Sequence, residues 1–205
     1  MPGDRHSPTS TTSPTLRPDI MSHVISSPVP IGTEHPSLLP RNGHLLVERT
    51  FLFSDLSGFT AYTRKHGPHA AAAMLARFRH VTRQIAASRG VRVAKWLGDG
   101  AMLVGVEPMP AIALGAHLVA HYRDEDVAVR VGIASGTALL FEGDDYIGEP
   151  VNLAAKLCAA AKPGEILADC APDGLPDWVH ASDPVSVHVR GVGQIDGILR
   201  LVPAA

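Results

Sequence analysis

Val91-Arg92-Val93-Ala94-Lys95-Trp96-Leu97-Gly98-Asp99-Gly100-Ala101-Met102-Leu103-Val104 is the stretch that decides the fold. Val91 to Leu97 and Ala101 to Val106 read as two strands joined around Gly98-Asp99-Gly100, because Asp-Gly between apolar runs is a strong short-turn signal. Two strands joined this tightly must be antiparallel neighbours. The flanking sequence alternates strand-like and helix-like segments, which alone would suggest a parallel sheet. The hairpin in its middle argues instead for a mixed or antiparallel sheet.

Toward the N-terminus, Leu45 to Ser54 reads as a strand with a buried run at Phe51-Leu52-Phe53. Ser57 or Thr60 is placed to cap a short helix ending near Lys65. Gly67-Pro68 breaks it, and His69 to Ser88 predicts a long amphipathic helix. Toward the C-terminus, Pro110 to Tyr122 predicts a second helix. Val127 to Ala134 alternates as a strand, Ser135-Gly136 punctuates it, and Thr137 to Phe141 continues extended. Pro150 suits the first turn of a third helix, which runs to about Ala160 and is stopped by Lys162-Pro163-Gly164. Glu165 to Ala168 is a short strand. Val185 to Val189 and Ile195 to Val202 form a final β-pair. The expected architecture is α+β: a ferredoxin-like sandwich with helices on one side of the sheet. No Gly-rich dinucleotide turn and no Gly-Lys-Ser/Thr loop is present, so Rossmann and P-loop readings fit poorly.

The chain has 205 residues, 45% of them hydrophobic, and a net charge of −2. Residues 1–43 are Ser/Thr/Pro-rich and read as a disordered tail, and residues 44–205 as one domain. The charge balance lacks the basic face that nucleic-acid binding needs. Cys158 and Cys170 match no zinc or redox spacing. No run approaches the roughly 18 apolar residues of a membrane span, and no signal peptide opens the chain. A cytoplasmic protein with no membrane or nucleic-acid partner is expected.

Two carboxylates stand out. Asp55 ends Phe51-Leu52-Phe53-Ser54 and precedes Leu56-Ser57-Gly58-Phe59-Thr60, where a helix begins. Asp99 sits in the Gly98–Gly100 turn. Singly, Asp55 could cap a helix and Asp99 could serve a turn. Together they suit a divalent-metal site, since ions about 4 Å apart need shared carboxylates. N–H groups at Ser57, Gly58, Phe59 and Thr60 could hold phosphate oxygens. Lys95 lies an even number of residues before Asp99, so strand parity puts both on one side. It is otherwise an ordinary edge charge. Asn152 and Lys156 are four apart on the third helix and share a face, either a solvated one or one suited to ribose and phosphate.

Four segments in order, Phe53–Thr60, Lys95–Gly100, Arg130–Thr137 and Val151–Leu157 with Lys162–Glu165, resemble the class III nucleotidyl cyclases. The likeness covers about Glu48 to Asp169. The resemblance implies that Asp55 and Asp99 bind two Mg²⁺ or Mn²⁺ ions, with the Leu56 carbonyl a further ligand. It implies that Lys95 and Asp145 select the purine. A lysine and an aspartate match the adenine pattern: the ammonium donates to ring N1 and the carboxylate accepts from the exocyclic amine. Asn152 would position the ribose. Lys156 stands where the family has arginine, and lysine lacks the planar fork that grips phosphate bidentately. Losing one such donor typically costs on the order of 10²–10³ in rate. Glu149 replaces a usual aspartate, and the Gly136–Asp145 loop is short. The implied reaction is attack of the ribose 3′-hydroxyl of ATP on the α-phosphorus, giving cyclic AMP and pyrophosphate, in a head-to-tail homodimer. A weakly active or inactive nucleotide-binding module is the alternative. A diguanylate cyclase is set aside because its Gly-Gly-Asp/Glu-Glu-Phe signature is absent.

Overall fold

The computed structural model describes residues 45–170 and 174–204. The expected tail, residues 1–43, lies outside them. The elements run β1 (Leu45–Ser57), α1 (Phe59–Ser88), β2 (Arg92–Leu97), β3 (Gly100–Gly105), α2 (Pro108–His121), β4 (Ala128–Phe141), β5 (Asp145–Ile147), α3 (Glu149–Ala160), β6 (Ile166–Asp169), β7 (Val179–Ala181), β8 (Val185–Val189) and β9 (Gly193–Pro203). The strand order is β2-β3-β1-β4-β6-β9-β7, with β5 added to β4 and β8 to β9. β4 and β6 are parallel, and every other pairing is antiparallel. The mixed sheet and the hairpin agree with the sequence reading.

The helices do not sit on one side. Leu52 and Leu56 of β1 pack with Phe78 of α1 and Leu114 of α2. Phe51 and Phe53 pack with Val151, Ala154 and Cys158 of α3. Successive side chains of a strand point to opposite faces, so α1 and α2 cover one face and α3 the other. Phe51, Leu52 and Phe53 are all 5% exposed or less, as a strand buried on both faces requires.

Boundaries shift in ways that matter to the site. β1 runs three residues further than expected, so Asp55 lies within the strand. The Gly67 break is real: its φ of 84° and ψ of 171° divide α1 into two helical pieces, the second opening at Pro68. Neither Ser57 nor Thr60 caps α1. Its N-cap is Gly58, in the left-handed region with no side-chain cap. Ser135-Gly136 does not interrupt β4, which is continuous through Phe141. β5 and β7, three residues each, were not expected.

α3 lies unusually close to the sheet because residue 132 has no side chain. A Cβ there would stand 2.1 Å from the Cys158 nitrogen and 2.2 Å from the Ala154 oxygen. A third layer of contact comes from the β8–β9 hairpin. Val187, Val189 and Ile198 bury Leu157 of α3 and Ala161 just beyond it against Leu167. Among the described residues, no helix is long and apolar enough to cross a membrane.

Candidate functional site

The β2–β3 hairpin and the end of β1 bring the two aspartates together. Asp55 is in register with Gly100 on one side and Arg130 of β4 on the other. The Leu56 N–H donates to the Asp99 carbonyl at 3.3 Å, which ties the Gly98–Asp99 turn to β1. Gly100 permits this approach, since a Cβ there would lie 2.6 Å from the Ser54 oxygen. That same position is 3.4 Å from Asp55 Oδ1, so Oδ1 faces the hairpin. Leu56 itself is 1% exposed, and its side chain belongs to the core. Only its main chain is available to the site.

The electrostatics agree with this closeness. Burial raises the Asp99 pKa above the ordinary carboxylate value, and the Asp55 charge raises it further. Arg130 and the backbone pull the other way. Two carboxylates that repel one another in a half-buried corner fit a divalent cation. Among the described residues no group of three or more acidic, His or Cys side chains could hold a metal. The protein therefore offers two carboxylates and main-chain oxygen, an incomplete ligand set of the kind that substrate phosphates complete.

Arg130 was not given a role by the sequence. Its Nε and one terminal nitrogen both donate to Asp55 Oδ2, at 2.8 and 2.6 Å, and its other terminal nitrogen donates to the Ala159 carbonyl at 3.1 Å. Arginine opposite aspartate on neighbouring strands is the signal that register would have supplied.

Lys95 and Asp145 meet. The Lys95 ammonium donates to Asp145 at 2.5 Å, although the residues are 50 apart in sequence. Strand parity does not explain this. The β2–β3 register slips between Val93 and Lys95, and Asp99 lies in the turn beyond β2. The β4–β5 arm delivers Asp145, seated by Tyr146 edge-on against Phe51 at 5.3 Å. Both groups are about 40% exposed, at 38% and 45%, so the pair is open to a ligand.

Asn152 and Lys156 occupy the outward face of α3, Asn152 exposed and Lys156 half-buried. No side chain caps the start of α1. The N–H groups of Phe59 and Thr60 therefore have no intrahelical acceptor. Ser57 ends β1 with its hydroxyl buried and unpartnered. The C-terminal region contributes as well. The β8–β9 turn places Gly191 so that a Cβ there would be 3.8 Å from Lys156 Nζ, with exposed Arg190 beside it. Sequence alone gave that hairpin no task.

A family model described as the adenylate and guanylate cyclase catalytic domain matches residues 46–170. An uncharacterized protein of Mycobacterium tuberculosis is 42% identical over 129 residues, 62% of this chain and 34% of the relative. An adenylate cyclase of Streptomyces coelicolor is 32% identical over 121 residues, 58% of this chain and 32% of that protein. This chain thus spans about a third of the length of these relatives. The crystal structure of the adenylyl cyclase CyaB from P. aeruginosa superposes with a TM-score of 0.62 at 24% identity, covering 79% of this chain and 97% of that one. At that identity the likeness speaks for the fold.

Proposed function

Since this chain belongs to the adenylate and guanylate cyclase catalytic domain family, we propose that it converts ATP to 3′,5′-cyclic AMP and pyrophosphate. The family generally uses divalent metal ions, binds a nucleotide and typically dimerizes. The observation that carries the adenine assignment is the Lys95–Asp145 pair at 2.5 Å. A cationic donor beside an anionic acceptor matches N1 and the exocyclic amine of adenine. Guanine presents donors at N1 and N2, which a lysine cannot accept.

The roles then divide among the chain's own groups. Asp55 and Asp99 would hold Mg²⁺ or Mn²⁺, two per site, with the Leu56 carbonyl. When bound, the metal lowers the pKa of the 3′-hydroxyl and neutralises the triphosphate. The N–H groups of Phe59 and Thr60, beside Ser57 and Gly58, would donate to phosphate oxygens. Asn152 orients the ribose, and Lys156 supplies positive charge to the phosphates with Arg190 alongside. The complete site is taken from two copies placed head to tail, one giving the carboxylates and the other the purine pair with Asn152 and Lys156.

One residue favours a second reading. Lysine at 156 cannot clamp phosphate bidentately, which suits a slow enzyme or a nucleotide-binding module. The test is cyclic nucleotide formation by purified protein with Mn²⁺ and ATP, with GTP in parallel. Activity on ATP that Asp55→Ala abolishes supports the proposal, and Lys156→Arg is expected to raise the rate. Equal product from wild type and Asp55→Ala would refute it, and preferential use of GTP would refute the adenine assignment.

A further inference from the structure

The two oxygens of Asp55 are not equivalent. Oδ1 faces Gly100 and the Asp99 turn. Oδ2 accepts two N–H groups from a single guanidinium, at 2.8 and 2.6 Å. The pair is well shielded, with Asp55 15% exposed and Arg130 29% exposed. Arg130 is also fixed from a third direction, through the Ala159 carbonyl at the end of α3.

We propose that Arg130 is a resident counter-ion that reserves Oδ2, so that one divalent ion can bind through Oδ1 and Asp99 while a second must displace the guanidinium. The inference rests on the metal reading of Asp55 and Asp99. A carboxylate that bridges two ions with one oxygen to each has no oxygen left for another cation. A cation already seated on one oxygen occupies a place that the second ion requires. Charge-assisted hydrogen bonds from a guanidinium are among the stronger contacts available to a carboxylate. Their loss weighs against the second ion and not against the first. The third contact, on Ala159, keeps the guanidinium within reach of Asp55 after release, so the displacement is reversible. It also links the metal corner to the end of the helix that carries Asn152 and Lys156.

The ordinary alternative is a structural ion pair that neutralises and orients Asp55. The two readings predict opposite signs. If Arg130 only orients Asp55, removing it leaves a misplaced carboxylate and weakens every metal interaction. If Arg130 reserves Oδ2, removing it strengthens the second interaction and leaves the first nearly unchanged.

Mn²⁺ binding to the full chain without nucleotide, followed by electron paramagnetic resonance of the free ion, reads both affinities. Arg130→Gln and Arg130→Lys are compared with wild type and with Asp55→Ala. Lysine keeps the charge but cannot place two donors on one oxygen, so it separates displacement from a general field effect. The second Mn²⁺ is expected to bind on the order of tenfold tighter in both variants, with the first within about twofold. Unchanged or weaker second binding in both variants would overturn the proposal. So would a gain confined to Arg130→Gln, which would assign the effect to charge alone. Wild type, Asp55→Ala and both Arg130 variants binding alike would sink the metal reading, and the proposal with it. Wild type supplies a readout that needs no variant: the Arg130 Nε–H resonance should move on Mg²⁺ titration, at the concentrations of the second event. A resonance that stays still while two ions bind contradicts the inference.

Discussion

Gly132→Ala is the sharpest single perturbation available to this fold. The added Cβ would stand 2.1 Å from the Cys158 nitrogen and 2.2 Å from the Ala154 oxygen, where ordinary contact begins at 3.4 Å. The difference, about 1.3 Å, is the distance by which α3 must withdraw from β4. Both atoms belong to the helix main chain, so no side-chain rotation relieves the clash. Overpacking of this kind costs roughly 1–3 kcal/mol, which for a domain of this size lowers the melting temperature by roughly 2–12 °C. α3 carries Asn152 and Lys156, and with the roles proposed for them a displacement of about 1 Å can cost on the order of 10² in turnover. Thermal melting by circular dichroism and initial cyclase rates measure the two effects. The double variant Gly132→Ala/Cys158→Ala removes a neighbouring side chain but none of the clashing atoms, so it should show no rescue. Wild-type melting and activity in Gly132→Ala would refute this account of α3 placement, and rescue by Cys158→Ala would refute its main-chain origin.

The remaining predictions concern titration and reactivity. Asp99 has a raised pKa in the fold, so the native state binds its proton more tightly than the unfolded chain does. Its favourable contribution is present below the ordinary carboxylate pKa and is lost as pH rises through the raised value. Asp99→Asn should therefore raise the melting temperature of the metal-free protein at neutral pH and flatten its decline across that window, and a lower neutral-pH melting temperature would contradict the burial argument. Burial pushes the Cys158 thiol up to about 12 and the Cys170 thiol up to about 11. Both should react slowly with an aromatic disulfide reagent at mildly alkaline pH and rapidly once the protein is denatured. Fast labelling of the native protein would contradict the placement of both residues.

The hairpin was legible because its signal is local: Asp-Gly between two apolar runs fixes a turn whatever surrounds it. The carboxylate pair was legible for a similar reason, since each aspartate has glycine close by. The side on which the helices sit was not read, although the signal was present. Three consecutive buried residues, Phe51, Leu52 and Phe53, imply a strand covered on both faces. The Asp55–Arg130 contact spans 75 residues and depends on the β1–β4 register, which a single sequence does not specify. The parity argument for Lys95 concerned only Asp99 and carried no information about Asp145, which the β4–β5 arm brings to it across 50 residues. β5 and β7 are too short for an alternating pattern to appear.

Asp55 and Asp99 resolve their mutual repulsion in two different ways. Asp55 leans on Arg130, while Asp99 resists losing its proton. Burial is the larger cause of the Asp99 shift and the Asp55 charge adds to it, so burial and closeness together make the metal-free corner a less comfortable state. The cost is tolerated where function needs a concentrated negative charge. On the metal reading, a divalent ion held by Oδ1 and Asp99 would offset the negative charge of both carboxylates while Arg130 keeps Oδ2. The same corner should then respond to its occupants asymmetrically. Asp99→Asn relieves repulsion and stabilises the empty fold. Loss of Arg130 leaves the repulsion standing and destabilises it. Opposite signs from two substitutions that each reduce charge in one small volume would identify electrostatic frustration, rather than packing, as the property that the sheet maintains there.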